Sequence, residues 1–271
     1  MASIVVGGAG FLGSVLVDVL VARREPVVIV DTLQSGSLAN TANAIASGRA
    51  AFAFWEPHGS LAQVVEALHV LRARPTVVFD LAEAPGTSGR IAAELAVPVV
   101  ALRRAREPSA GIEVHTATTH LDHALVCRGV AYGPRMRRRP APLLYELFAA
   151  CAAGEPLPIR GVEGLPIELS FSRRVARDLV ELAQANGRRG AGVREADAVV
   201  TAAELAATLC FVAGTSMRTR PADPVSLPHA TIQLPAVAAD TRELERSFAE
   251  TLAWFRYAAV ASVPLAAGLS P

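Results

Sequence analysis

The sequence predicts an α/β protein with a doubly wound parallel sheet and a small C-terminal cap. Three observations predict it. A β-branched run, Ser3 to Val6, enters the glycine turn Gly7-Gly8-Ala9-Gly10-Phe11-Leu12-Gly13 and then a stretch with apolar residues at helical spacing. Short buried strand patterns then alternate with helical ones through the first half of the chain, as crossover-connected parallel strands require. From Pro134 onward the texture changes to shorter elements punctuated by proline.

In order, the helix after the glycine turn covers Ser14 to Arg23 and is stopped by Pro26, and Val27 to Val30 reads as a second buried strand capped by Asp31. These elements complete a βαβ unit. A helix over Leu38 to Ser47, a strand over Ala51 to Phe54, a helix over Leu61 to Arg72 and a strand over Thr76 to Asp80 repeat the pattern. The spacing next predicts a helix from Gly89 to Arg106, a strand from Ile112 to Ala117 and a strand from His123 to Ala131. In the second half, helices are expected at Leu143 to Ala153, Arg173 to Asn186, Thr201 to Val212 and Thr241 to Ala258. Residues 1–135 are read as the core, and residues 136–271 mainly as the cap with some segments returning to the sheet.

Hydrophobic residues make up 52% of the 271 and charged residues 19%, which suits a folded domain and argues against disorder. A net charge of +1 gives no electrostatic reason to expect nucleic acid or an anionic membrane as partner. All 26 basic residues are arginine. Cys127, Cys151 and Cys210 lie far apart in apolar runs and read as buried reduced thiols of a cytoplasmic protein. The apolar stretch from Phe11 to Val30 is broken by Asp18, Arg23, Arg24, Glu25 and Pro26, so neither a signal peptide nor a membrane span is expected. His115, His120 and His123 with Asp122 are the densest ionisable cluster, but strand alternation separates neighbouring side chains, and no metal site is expected.

A glycine turn between strand and helix lets backbone N–H groups and the positive helix end approach a pyrophosphate. Side chains at Gly7, Gly10 or Gly13 would obstruct it. Asp31, at the end of the second strand, stands where an acidic residue accepts hydrogen bonds from an adenosine ribose. The pattern is that of a Rossmann-type dinucleotide-binding core, with NADPH or NADH as cofactor. Asp31 favours NADH, while Ser35, Ser37, Arg23 and Arg24 leave room for NADPH.

The opening glycine turn together with Asp31-Thr32-Leu33-Gln34-Ser35-Gly36-Ser37 resembles extended short-chain dehydrogenases of the NAD-dependent epimerase/dehydratase type. The resemblance continues in Val77-Val78-Phe79-Asp80-Leu81-Ala82, Ala131-Tyr132-Gly133-Pro134-Arg135, Arg220-Pro221-Ala222-Asp223 and Glu250-Thr251-Leu252-Ala253-Trp254-Phe255. It implies a cofactor site of Gly7, Gly10, Phe11, Leu12, Gly13, Asp31, Thr32, Ser35 and Ser37. It also implies Glu56 near the adenine, and Leu81, Ala82 and Glu83 beside the ribose or nicotinamide half. A substrate-binding cap would contribute Ile167 and Arg220, with Thr119 and Tyr132 from the core.

The family places a Tyr-x-x-x-Lys helix between a strand ending in Ser or Thr and the Tyr-Gly-Pro-Arg segment. This chain has no lysine, and the few residues from Thr119 to His123 leave no room for that helix. Thr118 and Thr119 fall where the family has its catalytic hydroxyl, and His120 follows as a candidate proton relay; none is a certain catalytic residue. Where the family grips a nucleotide diphosphate, this chain reads Leu165-Pro166-Ile167-Glu168-Leu169-Ser170. An apolar, aromatic small molecule is therefore expected in place of a nucleotide sugar.

This pattern of losses resembles the atypical ketoreductases of aromatic polyketide pathways. It implies an NAD(P)H-dependent ketoreductase of antibiotic tailoring that takes its proton from the substrate. Two alternatives stay open: a non-catalytic dinucleotide sensor or scaffold, and a cofactor-retaining isomerase of the epimerase/dehydratase kind. Loss of the helix that usually contributes to the family's dimer implies a monomer or an atypical dimer.

Overall fold

In a computed structural model, residues 1–56, 60–82, 86–104, 121–139, 141–185, 190–223 and 240–261 are described. The chain divides into two compact units, Met1–Arg128 with Ser172–Glu195, and Gly129–Phe171 with Ala196–Pro271.

The first unit opens with β1 (Ala2–Val6), α1 (Phe11–Ala22) and β2 (Val27–Asp31), every residue of both strands being buried. There follow α2 (Ala42–Ala46), β3 (Ala50–Phe54), α3 (Ala62–Val70), β4 (Pro75–Asp80), α4 (Thr87–Leu95), β5 (Val99–Arg104) and β6 (Leu121–Cys127). The seven-stranded sheet runs β10-β6-β5-β4-β1-β2-β3, where β10 is Gly190–Arg194, and all its neighbours pair parallel. This is the doubly wound α/β class read from the sequence.

Helices cover both faces. On one, Val15, Leu16 and Leu20 of α1 pack with Val5, Ile29 and Phe79, and with Val175, Leu179 and Val180 of α6 (Ser172–Gln184). On the other, Ile4, Val28 and Val78 meet Val64 and Leu68 of α3 and Ile91 and Ala92 of α4. The alternation Val5 to one cluster and Ile4 to the other follows from the two-residue period of a strand covered on both sides. Each fully buried Val, Ile or Leu contributes about 1.5–3 kcal/mol relative to exposure.

Three sequence expectations are corrected. The helix expected from Gly89 to Arg106 ends at Leu95, because Ala96 turns to the left-handed region (φ 53). Pro98 follows, with no N–H to continue a helix, and the β-branched Val99-Val100 begins β5, so one expected helix is a helix and a strand. The helix expected over Leu38 to Ser47 is a 3-10 turn, Leu38–Asn40, plus the five-residue α2. The strand expected from His123 to Ala131 is two strands, β6 and β7 (Val130–Tyr132), separated by Gly129 at φ +80. The strand expected at Ile112 to Ala117 lies outside the described residues.

The second unit holds a three-stranded sheet, β11-β9-β7, in which β9 (Pro166–Phe171) pairs antiparallel with β11 (Ala198–Thr201) and parallel with β7. A two-stranded parallel ladder joins β8 (Leu157–Arg160) to β12 (Thr219–Pro221). Its helices are α5 (Pro142–Ala153), α7 (Ala202–Ala213) and α8 (Thr241–Ala261). Thr201 begins α7 with a capping box: its hydroxyl accepts from the Glu204 N–H while the Glu204 carboxylate accepts from the Thr201 N–H. The Thr201 N–H, and then the Thr201 hydroxyl donating to the same carboxylate oxygen at 2.9 Å, hold the Glu204 carboxyl below the usual carboxylate range. No helix of the described residues is long and apolar enough to cross a membrane.

Candidate dinucleotide site

The glycine turn lies at the carboxyl ends of the parallel strands, where doubly wound sheets bind ligands. Its tightness is visible in what added side chains would meet. A Cβ on Gly13 would stand 2.0 Å from the Gly7 carbonyl oxygen, and one on Gly7, itself at φ +76, would stand 2.9 Å from the Leu81 oxygen. The first turn of α1 is thus packed onto the end of β1, and the end of β1 onto the residues following β4.

Gly10 is the N-cap of α1 and offers no side-chain cap. The Ser14 N–H bonds to the Gly10 oxygen, whereas the N–H groups of Phe11, Leu12 and Gly13 have no acceptor among the described residues. Unsatisfied donors at a helix N-terminus, with the positive end of the helix dipole, form an anion cradle. The residues present therefore fit a dinucleotide pyrophosphate.

Asp31 does more than the sequence reading gave it. It is buried, its Oδ2 accepts the Ala9 N–H at 2.9 Å, and its Oδ1 accepts the Leu33 N–H at 2.8 Å. The Ala9 oxygen in turn accepts from the Ser37 N–H at 3.0 Å and from Asn40 Nδ2 at 2.9 Å. The two peptide groups that flank the Ala9 Cα are thus held by the end of β2 and by the segment after it. An ionised carboxylate has about four acceptor positions, so Asp31 keeps capacity for a ribose hydroxyl while bracing the turn.

Thr32 accepts the Gln34 N–H in a local turn, Ser37 caps the 3-10 turn through the Ala39 N–H, and Ser35 is exposed. Glu56 is exposed just past β3, and Leu81 and Ala82 are half-buried beyond β4, beside Gly7. Glu83, Thr118, Thr119 and His120 lie outside the described residues.

Of the expected substrate residues in the second unit, Tyr132 is 1% exposed, ringed by Phe148, Phe171 and Phe248, with its hydroxyl 2.6 Å from Ser247 Oγ. Those contacts are those of a core residue. Ile167 is buried on β9 opposite Val200, and Arg220 is half-buried on β12 opposite Pro158.

Sequence reasoning missed two groups. Asn40 was passed over because nothing in its neighbours marks it as a partner of Ala9, 31 residues away. Arg103 was read into a helix. It stands instead at the carboxyl end of β5, its Nη2 donating to Asp80 Oδ2 at 2.8 Å at the end of β4. No group of three or more His, Cys, Asp or Glu capable of holding a metal occurs among the described residues.

No family model and no curated protein matches the chain. Solved structures do. A UDP-N-acetylglucosamine 4-epimerase from Methanobrevibacter ruminantium superposes with a TM-score of 0.69 at 16% identity, covering 95% of this chain and 98% of that one. A UDP-glucose 4-epimerase from Thermus thermophilus, in complex with NAD, gives 0.63 at 18% identity, covering 94% and 99%. A dTDP-glucose 4,6-dehydratase from Bacillus anthracis, also with NAD, gives 0.66 at 15% identity, covering 95% and 97%. The chain therefore has the Rossmann-like fold of NAD-binding epimerases and dehydratases.

Proposed function

We propose that this chain is an NAD(P)H-dependent ketoreductase acting on an apolar aromatic ketone of the polyketide type, with the proton drawn from the substrate itself. The observation that carries the reading is a complete anion cradle in a chain without the usual acid. The N–H groups of Phe11 to Gly13, in a braced glycine turn, have no acceptor among the described residues, yet the chain has no lysine and therefore no Tyr-x-x-x-Lys pair. Structural neighbours crystallised with NAD support dinucleotide use. The same pattern of losses is resembled by the angucyclinone ketoreductase of simocyclinone biosynthesis.

A bound NAD(P)H supplies the hydride. The chain's own share is then to bind, orient and shield. The α1 N-terminus holds the pyrophosphate, and Asp31 fixes the turn that shapes it. A phenolic hydroxyl beside the ketone, internally hydrogen-bonded, stabilises the charge that develops on the carbonyl oxygen.

Stoichiometric oxidation of NADPH or NADH on adding a tetralone with a hydroxyl peri to its ketone tests the proposal. Turnover is expected with the free hydroxyl and a far slower rate with its methyl ether. Dinucleotide binding without oxidation would favour the sensor reading, and product formation with no net oxidation the isomerase.

A further inference from the structure

We propose that Arg103, oriented by Asp80, is the group that binds the carbonyl oxygen of the substrate and stabilises the negative charge it acquires. The inference rests on the ketoreductase reading above and deepens it.

Position comes first. Asp80 is level with Val6 on one side and with Ala101 on the other, so the glycine turn that follows Val6 and the Arg103 that follows Ala101 project from the same edge of the sheet. The two intervening steps, β1 to β4 and β4 to β5, span about 10 Å. That is the reach from a pyrophosphate to the far half of a dinucleotide. Val100 and Leu102 pack against the α1 and α6 side, and Val99 against the α3 and α4 side. By alternation, Arg103 stands on the α4 side, past the end of β4.

Its environment leaves it available. Nη2 donates to Asp80 and Nη1 donates to the Leu102 oxygen at 2.9 Å. A guanidinium has five N–H donors, so three have no acceptor among the described residues. The Arg103 side chain is 31% exposed while that of Asp80 is 4% exposed. The carboxylate is thus a buried anchor, with Oδ1 also accepting from the Ala82 N–H at 3.3 Å, and the guanidinium is its solvent-facing partner. An Arg held by a buried carboxylate is pre-organised, which is what electrostatic stabilisation of a developing charge requires.

The chemistry balances without a protein acid. Hydride adds to the carbonyl carbon and the C=O π pair moves to oxygen, where Arg103 meets the charge. The adjacent phenol transfers its proton to that oxygen, and the phenolate regains one from water. No proton is taken from Arg103 in these steps.

Arg103→Met is expected to lower kcat with the peri-hydroxylated tetralone by about 10²–10³-fold, with NADPH affinity within about twofold of wild type. Tens of millimolar guanidinium should restore part of the rate to Arg103→Ala, an effect that a brace between strands would not show. Unchanged kcat in Arg103→Met, or parallel loss of thermal stability and dinucleotide binding without guanidinium rescue, overturns the proposal. If the wild-type protein oxidises no NADPH, the ketoreductase reading fails on its own account. Calorimetric binding of hydroxynaphthoate, an aromatic oxyanion, to NADP-loaded protein then decides for Arg103. At least tenfold weaker binding by Arg103→Met supports the assignment, and equal binding, or none by wild type, overturns it.

Discussion

The Asp31 carboxylate and the Ala9 amide, 22 residues apart, are joined by a 2.9 Å hydrogen bond that ties the end of β2 to the glycine turn. From the sequence, Asp31→Ala would simply shift preference from NADH toward NADPH. The bond changes that expectation, since truncation leaves the buried Ala9 N–H without its acceptor. A lost partner of this kind costs about 1–3 kcal/mol. Asp31→Ala should therefore lower the melting temperature and weaken both dinucleotides. Melting curves with calorimetric titrations of NADH and NADPH read this directly. An unchanged melting temperature with only the preference altered would assign the carboxylate to the ribose alone.

Two glycines of the turn should respond differently. Gly10 has φ −74 and ψ −176, a backbone conformation open to any residue. Gly10→Val should fold normally and lose dinucleotide binding, because a branched side chain then stands at the uncapped N-terminus of α1. Gly13→Ala places its Cβ 2.0 Å from the Gly7 oxygen, so helix and turn must separate. That variant should lose binding and stability together. Normal binding by either would remove the turn from the site.

The outline of the first unit was legible because buried parallel strands are β-branched runs and the glycine turn has few other uses. The errors share a cause. In an Ala- and Val-rich chain, helix and buried strand look alike, so Val99 to Arg104 was absorbed into a helix and Gly129 passed unnoticed inside a strand. β10 carried little signal, since Gly190-Ala191-Gly192 has no strand-forming side chain and Val193 is its one β-branched residue; it pairs parallel with β6. The Asp80–Arg103 pair could not be read from sequence. It depends on the register that sets Asp80 opposite Ala101, and hence on β5 being a strand.

Tyr132 is a stability residue by its contacts. Ser247 Oγ donates to the Leu244 oxygen at 2.7 Å, so the Tyr132 hydroxyl is the donor in its own bond to Ser247. Tyr132→Phe keeps the ring among Phe148, Phe171 and Phe248 and loses one buried hydrogen bond, worth about 1 kcal/mol. A small drop in the urea midpoint with turnover within a fewfold of wild type is expected. A loss of turnover near 10²-fold at unchanged stability would make the hydroxyl functional.

Cys151 on α5 is buried, donates weakly to the Leu209 oxygen at 3.5 Å, and titrates high. Burial, and then the neighbouring Cys210 thiol, push its pKa from 9.0 up to about 11, against the opposing pull of Arg256 and Thr215. The folded state holds this proton more tightly than the unfolded state. Its contribution is complete below pH 9.0 and is lost as pH rises toward about 11. Wild type minus Cys151→Ala should show a stability difference constant up to pH 9.0 and falling above it, read from urea midpoints. A flat difference across that range would mean that the thiol is not shielded. At neutral pH the native protein should resist alkylation at this position.

The last prediction concerns the proton. With no lysine in the chain, and with Tyr132 a core residue, the acids the sequence offers are Thr118, Thr119 and His120, which lie outside the described residues. A positioned general acid contributes about 10²–10⁴-fold, or roughly 3–5 kcal/mol of barrier. Removing one that is essential costs about that much, whereas removing a residue that only lines the site costs far less. Thr118→Val, Thr119→Val and His120→Ala should each stay within 10²-fold of wild-type turnover in the chemical step. Methylating the peri hydroxyl of the substrate should instead slow reduction well beyond any of them while binding persists. If one of the three variants falls by about three orders of magnitude with binding intact, an ordinary side-chain acid drives the reaction and the substrate-assisted mechanism is wrong.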